Sequence, residues 1–174
     1  MGKSEDCIKK AAELLRSGEL ISVKGVGGFH IMSNTNKKAV SKLKEVTGRT
    51  DKPFALLCRD VEMTRNVSCP TSEEVDELES PARPIVLIRA LNRKLHHISE
   101  HSTIGIMLPY TALHYLLFAH FKEPIVCTSS NKSNEPITST KKEQFTPYVL
   151  DHDRDIINTD RKSTRLNSSH QIIS

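Results

Sequence analysis

Short apolar runs alternate with stretches of helical periodicity along residues 4–128, and this alternation constrains the fold more than any other feature of the chain. Residues 4–16 place Ile8, Ala11, Ala12, Leu14 and Leu15 at helical spacing and stop at Ser17-Gly18. Residues 20–24 read as a strand, which is interrupted by Gly25-Val26-Gly27-Gly28 and resumes at residues 29–32. Residues 37–46 carry Ala39, Val40, Leu43 and Val46 as one face of a helix whose polar face is mostly lysine. An apolar strand is expected over 54–58, after Lys52-Pro53. Thr71-Ser72-Glu73-Glu74 has the form of a capping box, so a short helix follows Pro70. Residues 84–88, 103–108 and 124–128 read as strands and 111–119 as an apolar helix, while 91–101 is polar, aperiodic and read as a loop. Several strands follow one another with only loops between them. The sheet is therefore expected to be mixed, in a single α/β or α+β domain.

The 174 residues suffice for one domain with a substantial core, and a mean hydropathy of −0.40 is that of a globular chain. No apolar run approaches a bilayer span, and the start, Met-Gly-Lys-Ser-Glu-Asp-Cys, lacks the apolar stretch of a signal peptide; a cytoplasmic protein with no membrane partner is expected. Residues 161–174 hold three of the 25 basic residues and none of the 21 acidic ones, which leaves residues 1–160 with a net charge of only +1. That stretch has no hydrophobic period and is read as a non-native, disordered tail resembling translated vector sequence. Within the body the basic excess is local: Lys37, Lys38, Lys42, Lys44, Arg49 and Lys52 crowd residues 36–52 against Glu45 and Asp51. Cys7, Cys58, Cys69 and Cys127 are far apart and form no C-x-x-C pair, so reduced thiols and no metal cage are expected, with Cys58 and Cys127 acting as small buried hydrophobes.

Three segments could carry chemistry. Lys24-Gly25-Val26-Gly27-Gly28-Phe29-His30 lies between two strands, where glycines let backbone N–H groups approach a ligand; it fits a hairpin bend equally well. It is neither a Walker loop nor a Rossmann fingerprint, because a strand and not a helix follows. Arg49 and Lys52 stand just before an apolar strand, which suits a polyphosphate or an ordinary solvated edge. Thr128-Ser129-Ser130-Asn131 ends the strand at 124–128, a position where α/β folds often bind ligands and where a plain Ser/Asn turn is also common. Two histidine groups are read as structural: His114 as a satisfied residue within an apolar helix, and His96, His97 and His101 as a solvated loop.

Taken in order, these segments resemble the YrdC-like domain of the HypF carbamoyltransferase family. The stretch 24–30 is similar to the pattern KGxGGFH of that family, whereas threonylcarbamoyl-adenylate synthases of the same superfamily carry a Pro-Thr-Glu-Thr type segment there. Lys52-Pro53-Phe54-Ala55, residues 80–87, residues 104–114, Thr128-Ser129-Ser130-Asn131 with Glu135-Pro136-Ile137, and His152-Asp153-Arg154 also match. The chain departs from the pattern at Val46-Thr47-Gly48, where the family has a denser basic run, at Asn34 for an Asp, and at Asn158 for an Arg.

The resemblance implies an open, twisted mixed sheet with helices and a concave, positively lined cavity, with residues 1–160 as the ATP-binding domain. It implies adenylation of carbamate, derived from carbamoyl phosphate, to carbamoyl-AMP and pyrophosphate for hydrogenase maturation, with ATP and Mg2+ as cofactors. By matching position, Lys24 and His30 are the catalytic candidates, and Gly25, Gly27, Gly28 and Phe29 form the carbamate loop. Arg49, Lys52, Thr128, Ser129, Asn131 and Arg154 are the expected ATP and phosphate contacts. For His30, proton transfer or a bond to carbamate stands beside a half-buried structural role. A HypE-like acceptor would be reached through a separate transferase domain. Two other readings accompany this one: threonylcarbamoyl-AMP synthesis for tRNA modification, and double-stranded RNA binding through the lysine face of residues 36–52.

Overall fold

The computed structural model describes residues 2–25, 28–49, 52–91, 93–129, 148–150 and 156–158. Gly27, Asn131, Arg154 and the tail 161–174 lie outside the described residues. Five helices, α1 (Gly2–Arg16), α2 (Lys37–Thr47), α3 (Val61–Arg65), α4 (Ser72–Glu79) and α5 (Ala112–His120), accompany eight strands. These are β1 (Ile21–Lys24), β2 (Phe29–Ser33), β3 (Ala55–Leu57), β4 (Val86–Arg89), β5 (Thr103–Met107), β6 (Ile125–Ser129), β7 (Tyr148–Leu150) and β8 (Ile156–Asn158).

One mixed sheet takes the order β4-β5-β3-β6-β2-β1-β7-β8. β3 and β5 run parallel, as do β1 and β7, and the other pairings are antiparallel. The mixed α/β architecture expected from the alternation is therefore present. Its centre is built from residues with no polar demand: Leu56 and Leu57 of β3, Ile106 of β5, and Ile125 and Val126 of β6 are fully buried. Ala11, Leu15, Leu117 and Phe118 join the same core, and Arg16 of α1 ties to the α5 terminus through a side-chain bond to the His120 carbonyl.

Local signals account for most helix ends. Thr71 and Glu74 exchange both bonds of the capping box at the start of α4. Thr111 caps α5 by accepting from the His114 N–H. α2 ends at Gly48, in the left-handed region with φ 63°, which only glycine occupies without strain.

Besides β7 and β8, which the sequence expectation lacked, three elements differ from it. α3 follows Asp60, whose carboxylate accepts the Met63 N–H, and has too few apolar positions to show a period. The strand expected at 84–88 forms as β4 at the edge of the sheet, where Leu87 is two-thirds exposed. The loop 91–101 contains a 3-10 turn at Arg93–Leu95 and is anchored rather than freely solvated. Ile98 is buried, the Ile98 carbonyl accepts the Phe54 N–H, and the His97 Nε2 lies 2.7 Å from the Thr35 carbonyl oxygen.

Candidate functional site

The segments singled out in the sequence meet at one end of the sheet. β1 and β2 form an antiparallel hairpin in which Lys24 faces Phe29 and Val23 faces His30. Its turn is closed by the Gly25 N–H donating to the Gly28 carbonyl at 2.7 Å. Gly25 admits no side chain: a Cβ there would fall 2.9 Å from His30 Cε1 and 3.2 Å from the Gly28 oxygen. The close approach of loop to imidazole thus explains one glycine of the cluster by contact, without a ligand.

β6 brings the hydroxyl-rich segment alongside. His30 stands opposite Ser129, and Ile31 opposite Thr128. The turn at Gly48 sends the chain out of α2 so that Arg49 crosses to β6, and its Nη2 donates to Ser129 Oγ at 2.9 Å. Two expected phosphate contacts, 80 residues apart, are therefore joined directly. Burial lowers the Arg49 pKa from its ordinary value of 12.5, while guanidinium remains the cationic form at neutral pH.

Strand alternation divides the remaining candidates. Residues opposite one another share a face, so His30 and Ser129 lie on one face, and Lys24, Phe29, Ile31 and Thr128 on the other. The Lys24 Nζ lies 4.6 Å from the centroid of the Phe29 ring, a cation–π contact, and Phe29 is buried. Thr128 is nearly buried. Lys52 is exposed ahead of β3, and no hydrogen bond or ion pair joins it to Arg49 or Ser129 among the described residues.

The His30 face holds a group that the sequence reading did not assemble. The Tyr110 hydroxyl lies 3.3 Å from His30 Nδ1 and 3.4 Å from Nε2, and the two rings meet edge-on with centroids 6.1 Å apart. Tyr110 also stands edge-on to His114, at 4.8 Å and 88°. His114 is fully buried, and among the described residues neither ring nitrogen has a hydrogen-bond partner, which corrects its reading as a satisfied residue. Burial depresses both imidazoles: His30 falls below its usual 6.5, and His114, helped by the nearby His30, is pushed down to about 4. Burial also pushes the Tyr110 phenol up to about 12. All three groups are neutral at pH 7. The available signal was Tyr110 itself, placed just after the β5 strand and before the Thr111 cap.

Cys58 and Cys127 are buried free thiols pushed up to about 12 by desolvation, as suits inert packing residues. No group of three or more His, Cys, Asp or Glu residues could hold a metal among the described residues. Hydroxyls such as Ser129 Oγ fit only a hard cation that keeps other oxygen ligands, and this is the coordination that Mg2+ takes on nucleotide phosphates. A cavity of about 390 Å3 lies elsewhere, between Arg89, Leu95, His96, Ser99, His101 and Ile104. No helix among the described residues is long and apolar enough to cross a membrane.

Residues 13–169 match the Sua5/YciO/YrdC family, described as telomere recombination. The chain belongs to that family. Among curated relatives, the carbamoyltransferase HypF of Rhodobacter capsulatus is 38% identical over 159 residues, covering 87% of this chain and 21% of the relative. HypF of Rhizobium leguminosarum bv. viciae is 33% identical over 86% of this chain and 22% of its own length. The chain thus spans about one fifth of the length of these relatives. Among solved structures, full-length HypF in a phosphate- and nucleotide-bound form superposes with a TM-score of 0.79 at 39% identity, over 87% of this chain and 21% of that one. The Sua5 protein of P. abyssi complexed with L-threonine shares the fold, with a TM-score of 0.72 at 21% identity over 80% of this chain and 43% of that one. Within the Sua5/YciO/YrdC family, the chain is similar in sequence to the HypF members.

Proposed function

We propose that this Sua5/YciO/YrdC domain is the adenylating module of a HypF-like carbamoyltransferase, joining carbamate to AMP at the expense of ATP. The observation that carries the reading is the Arg49–Ser129 bond beside His30, which gathers a cation, a hydroxyl and a neutral imidazole at one end of the sheet. The likeness to a HypF described in phosphate- and nucleotide-bound form adds to it.

In the proposed reaction a carbamate oxygen attacks the α-phosphorus of ATP, the bond from that phosphorus to the bridging oxygen of the β-phosphate breaks, and pyrophosphate leaves. Carbamate is already an anion, so no proton has to be removed and no side-chain nucleophile is needed. The protein's work is to align two anions and to offset charge on the phosphate oxygens. Arg49 supplies a fixed donor fork whose orientation Ser129 sets, and Lys52 adds a mobile charge at the β3 entrance. Mg2+, held by the ATP phosphates and the Ser129 hydroxyl, would supply further charge compensation when bound. His30, uncharged at neutral pH, offers one N–H donor to a carbamate oxygen without adding a cation that would hold the product. Lys24 reaches the reacting groups only from the opposite face, around the hairpin end. Carbamoyl-AMP then passes to a transferase domain that carbamoylates a HypE-like acceptor.

The test is ATP–pyrophosphate exchange on the purified 174-residue chain with Mg2+, comparing carbamate with threonine plus bicarbonate. Exchange that depends on carbamate alone supports the proposal. Exchange that depends on threonine, or none with either addition, overturns it.

A further inference from the structure

The cavity of about 390 Å3 between the end of β4, the loop 93–102 and the start of β5 is separate from the site around Arg49 and Ser129. β5 lies two strands from β6 in the sheet, about 10 Å away. The cavity floor also belongs to the other face. Gly105 stands opposite Ala55, and Ala55 opposite Cys127, two residues before Ser129, so the Ser129 face takes Gly105 and leaves Ile104 on the reverse. Floor and rim differ in chemistry: Ala90, Leu95 and Ile104 are apolar, with Ile104 buried, whereas Arg89, His96 and His101 are exposed.

Other residues of the loop hold its wall in place. The Ile98 carbonyl accepts the Phe54 N–H, His97 Nε2 lies 2.7 Å from the Thr35 oxygen, Ser99 Oγ donates to the Thr103 carbonyl at 2.8 Å, and the Ser102 carbonyl accepts the Ala90 N–H. The cavity is therefore preformed. Its donors are nevertheless uncommitted: among the described residues the Arg89 guanidinium and the rings of His96 and His101 make no hydrogen bond or ion pair. Glu100, the one acid among the lining residues, has its carboxylate 4.0 Å from Lys44 Nζ, so its charge is offset from α2 and Arg89 is left as the dominant charge of the cavity. A metal ion does not suit such a rim, and no group of three His, Cys, Asp or Glu residues that could hold one occurs among the described residues.

We propose that this cavity is a second binding site, for a small organic phosphate with an apolar body. Its volume falls in the range of small-molecule sites. The Arg89 fork can donate to two phosphate oxygens at once. An imidazole carries at least one ring N–H donor, so His96 and His101 can serve the remaining oxygen. A carboxylate, with two oxygens, would be satisfied by Arg89 alone and would leave the histidines unused. The body of the ligand then displaces water from Ala90, Leu95 and Ile104. The proposal goes beyond adenylation and does not depend on it, because binding is read directly and without ATP.

The experiment is a 1H–15N titration of the full 174-residue chain with phenyl phosphate, in the absence of ATP and carbamate. The backbone signals of Ala90, His96, His101 and Ile104 are expected to shift together and to saturate, while those of His30 and Ser129 stay in place. Arg89→Gln, at an exposed position, should weaken binding by about tenfold or more. Ala90→Leu fills the floor from below and should abolish saturation although every donor of the rim is intact. Inorganic phosphate, without the ring, and benzoate, without the third oxygen, should each bind about tenfold more weakly than phenyl phosphate. Absence of saturable shifts, shifts centred on His30 and Ser129, or undiminished binding by Arg89→Gln overturns the site. Benzoate binding as tightly as phenyl phosphate overturns the assignment of a phosphate, and inorganic phosphate binding as tightly overturns the apolar body.

Discussion

Acidification should unfold this protein earlier than its carboxylates require, and His114 is the reason. In the folded chain its imidazole is pushed down from the ordinary 6.5 to about 4 by burial, with a smaller contribution from His30. The unfolded state binds a proton near pH 6.5 and the folded state does not, so the unfolded form takes up more protons at every pH between these values. Stability is therefore intact above pH 6.5 and declines as the pH falls toward 4. The full shift corresponds to about 3 kcal/mol, of which about 2 kcal/mol is lost by pH 5. Against a typical domain stability of about 5–15 kcal/mol, that is a visible fraction. His30 is depressed for the same reason and adds to the loss in the same direction. The carboxylate of Asp60, lowered chiefly by the Met63 N–H, also stabilises the fold, but its contribution disappears only as the pH falls below the usual carboxylate range. Urea unfolding at pH 7, 6, 5 and 4.5, in wild type and in His114→Leu, separates these contributions. The variant should gain stability at pH 7 because the orphaned nitrogens are gone, and between pH 7 and 5 its stability should fall less steeply than that of wild type, keeping only the slope that His30 contributes. A wild-type curve that is flat over that interval, or a His114→Leu curve as steep as that of wild type, refutes the reasoning.

Other outcomes follow from single contacts. Leu56→Ala, in the fully buried centre of β3 between β5 and β6, should cost about 2–5 kcal/mol in chemical denaturation. Thr71→Ala removes the hydroxyl that accepts the Glu74 N–H, one of the two bonds of the α4 capping box, and should cost about 1 kcal/mol, measured the same way. Ser129→Ala takes away the acceptor that orients Arg49 and should raise the KM for ATP by about tenfold in pyrophosphate exchange while leaving the melting temperature nearly unchanged. In Gly25→Ala the new methyl group meets the Gly28 carbonyl, which is backbone, as well as the His30 ring, so both the exchange rate and the melting temperature should drop.

The elements legible in the sequence were those with enough residues to show a period or a cap. The spacing of Ala39, Val40 and Leu43 and the Thr71–Glu74 box each specified a helix that the structure contains. α3 has five residues and only Val61 and Met63 as apolar positions, so its sole local signal was the Asp60 cap. β7 and β8 span three residues each, too few for an alternation to be read. β4 was legible as a strand but not as an edge, because apolar composition reports burial in the average sheet and not the neighbour a strand lacks. For the site, Arg49 and Ser129 were each marked by chemistry at a strand end, yet the bond between them depends on the left-handed turn at Gly48 and on the β2–β6 pairing, which no local pattern encodes. His114 was misread for a related reason. Its helix is apolar, and apolar surroundings predict packing without saying whether an embedded polar group finds a partner.

The Lys24–His30 segment shows how register changes the meaning of a motif. Read along the chain it is one patch, with a lysine and a histidine six residues apart around a glycine turn. In the hairpin, Lys24 is opposite Phe29 and His30 is one position further, so the two side chains leave the sheet on opposite faces. Lys24 spends its charge against the Phe29 ring, whereas His30 joins Ser129, Arg49 and Tyr110. A ligand that uses both has to lie across the end of the sheet, astride the Gly25–Gly28 turn, rather than on either face. Under the proposed adenylation, this geometry suits an elongated anion whose reacting centre sits beside Gly28 and whose phosphates extend toward Arg49.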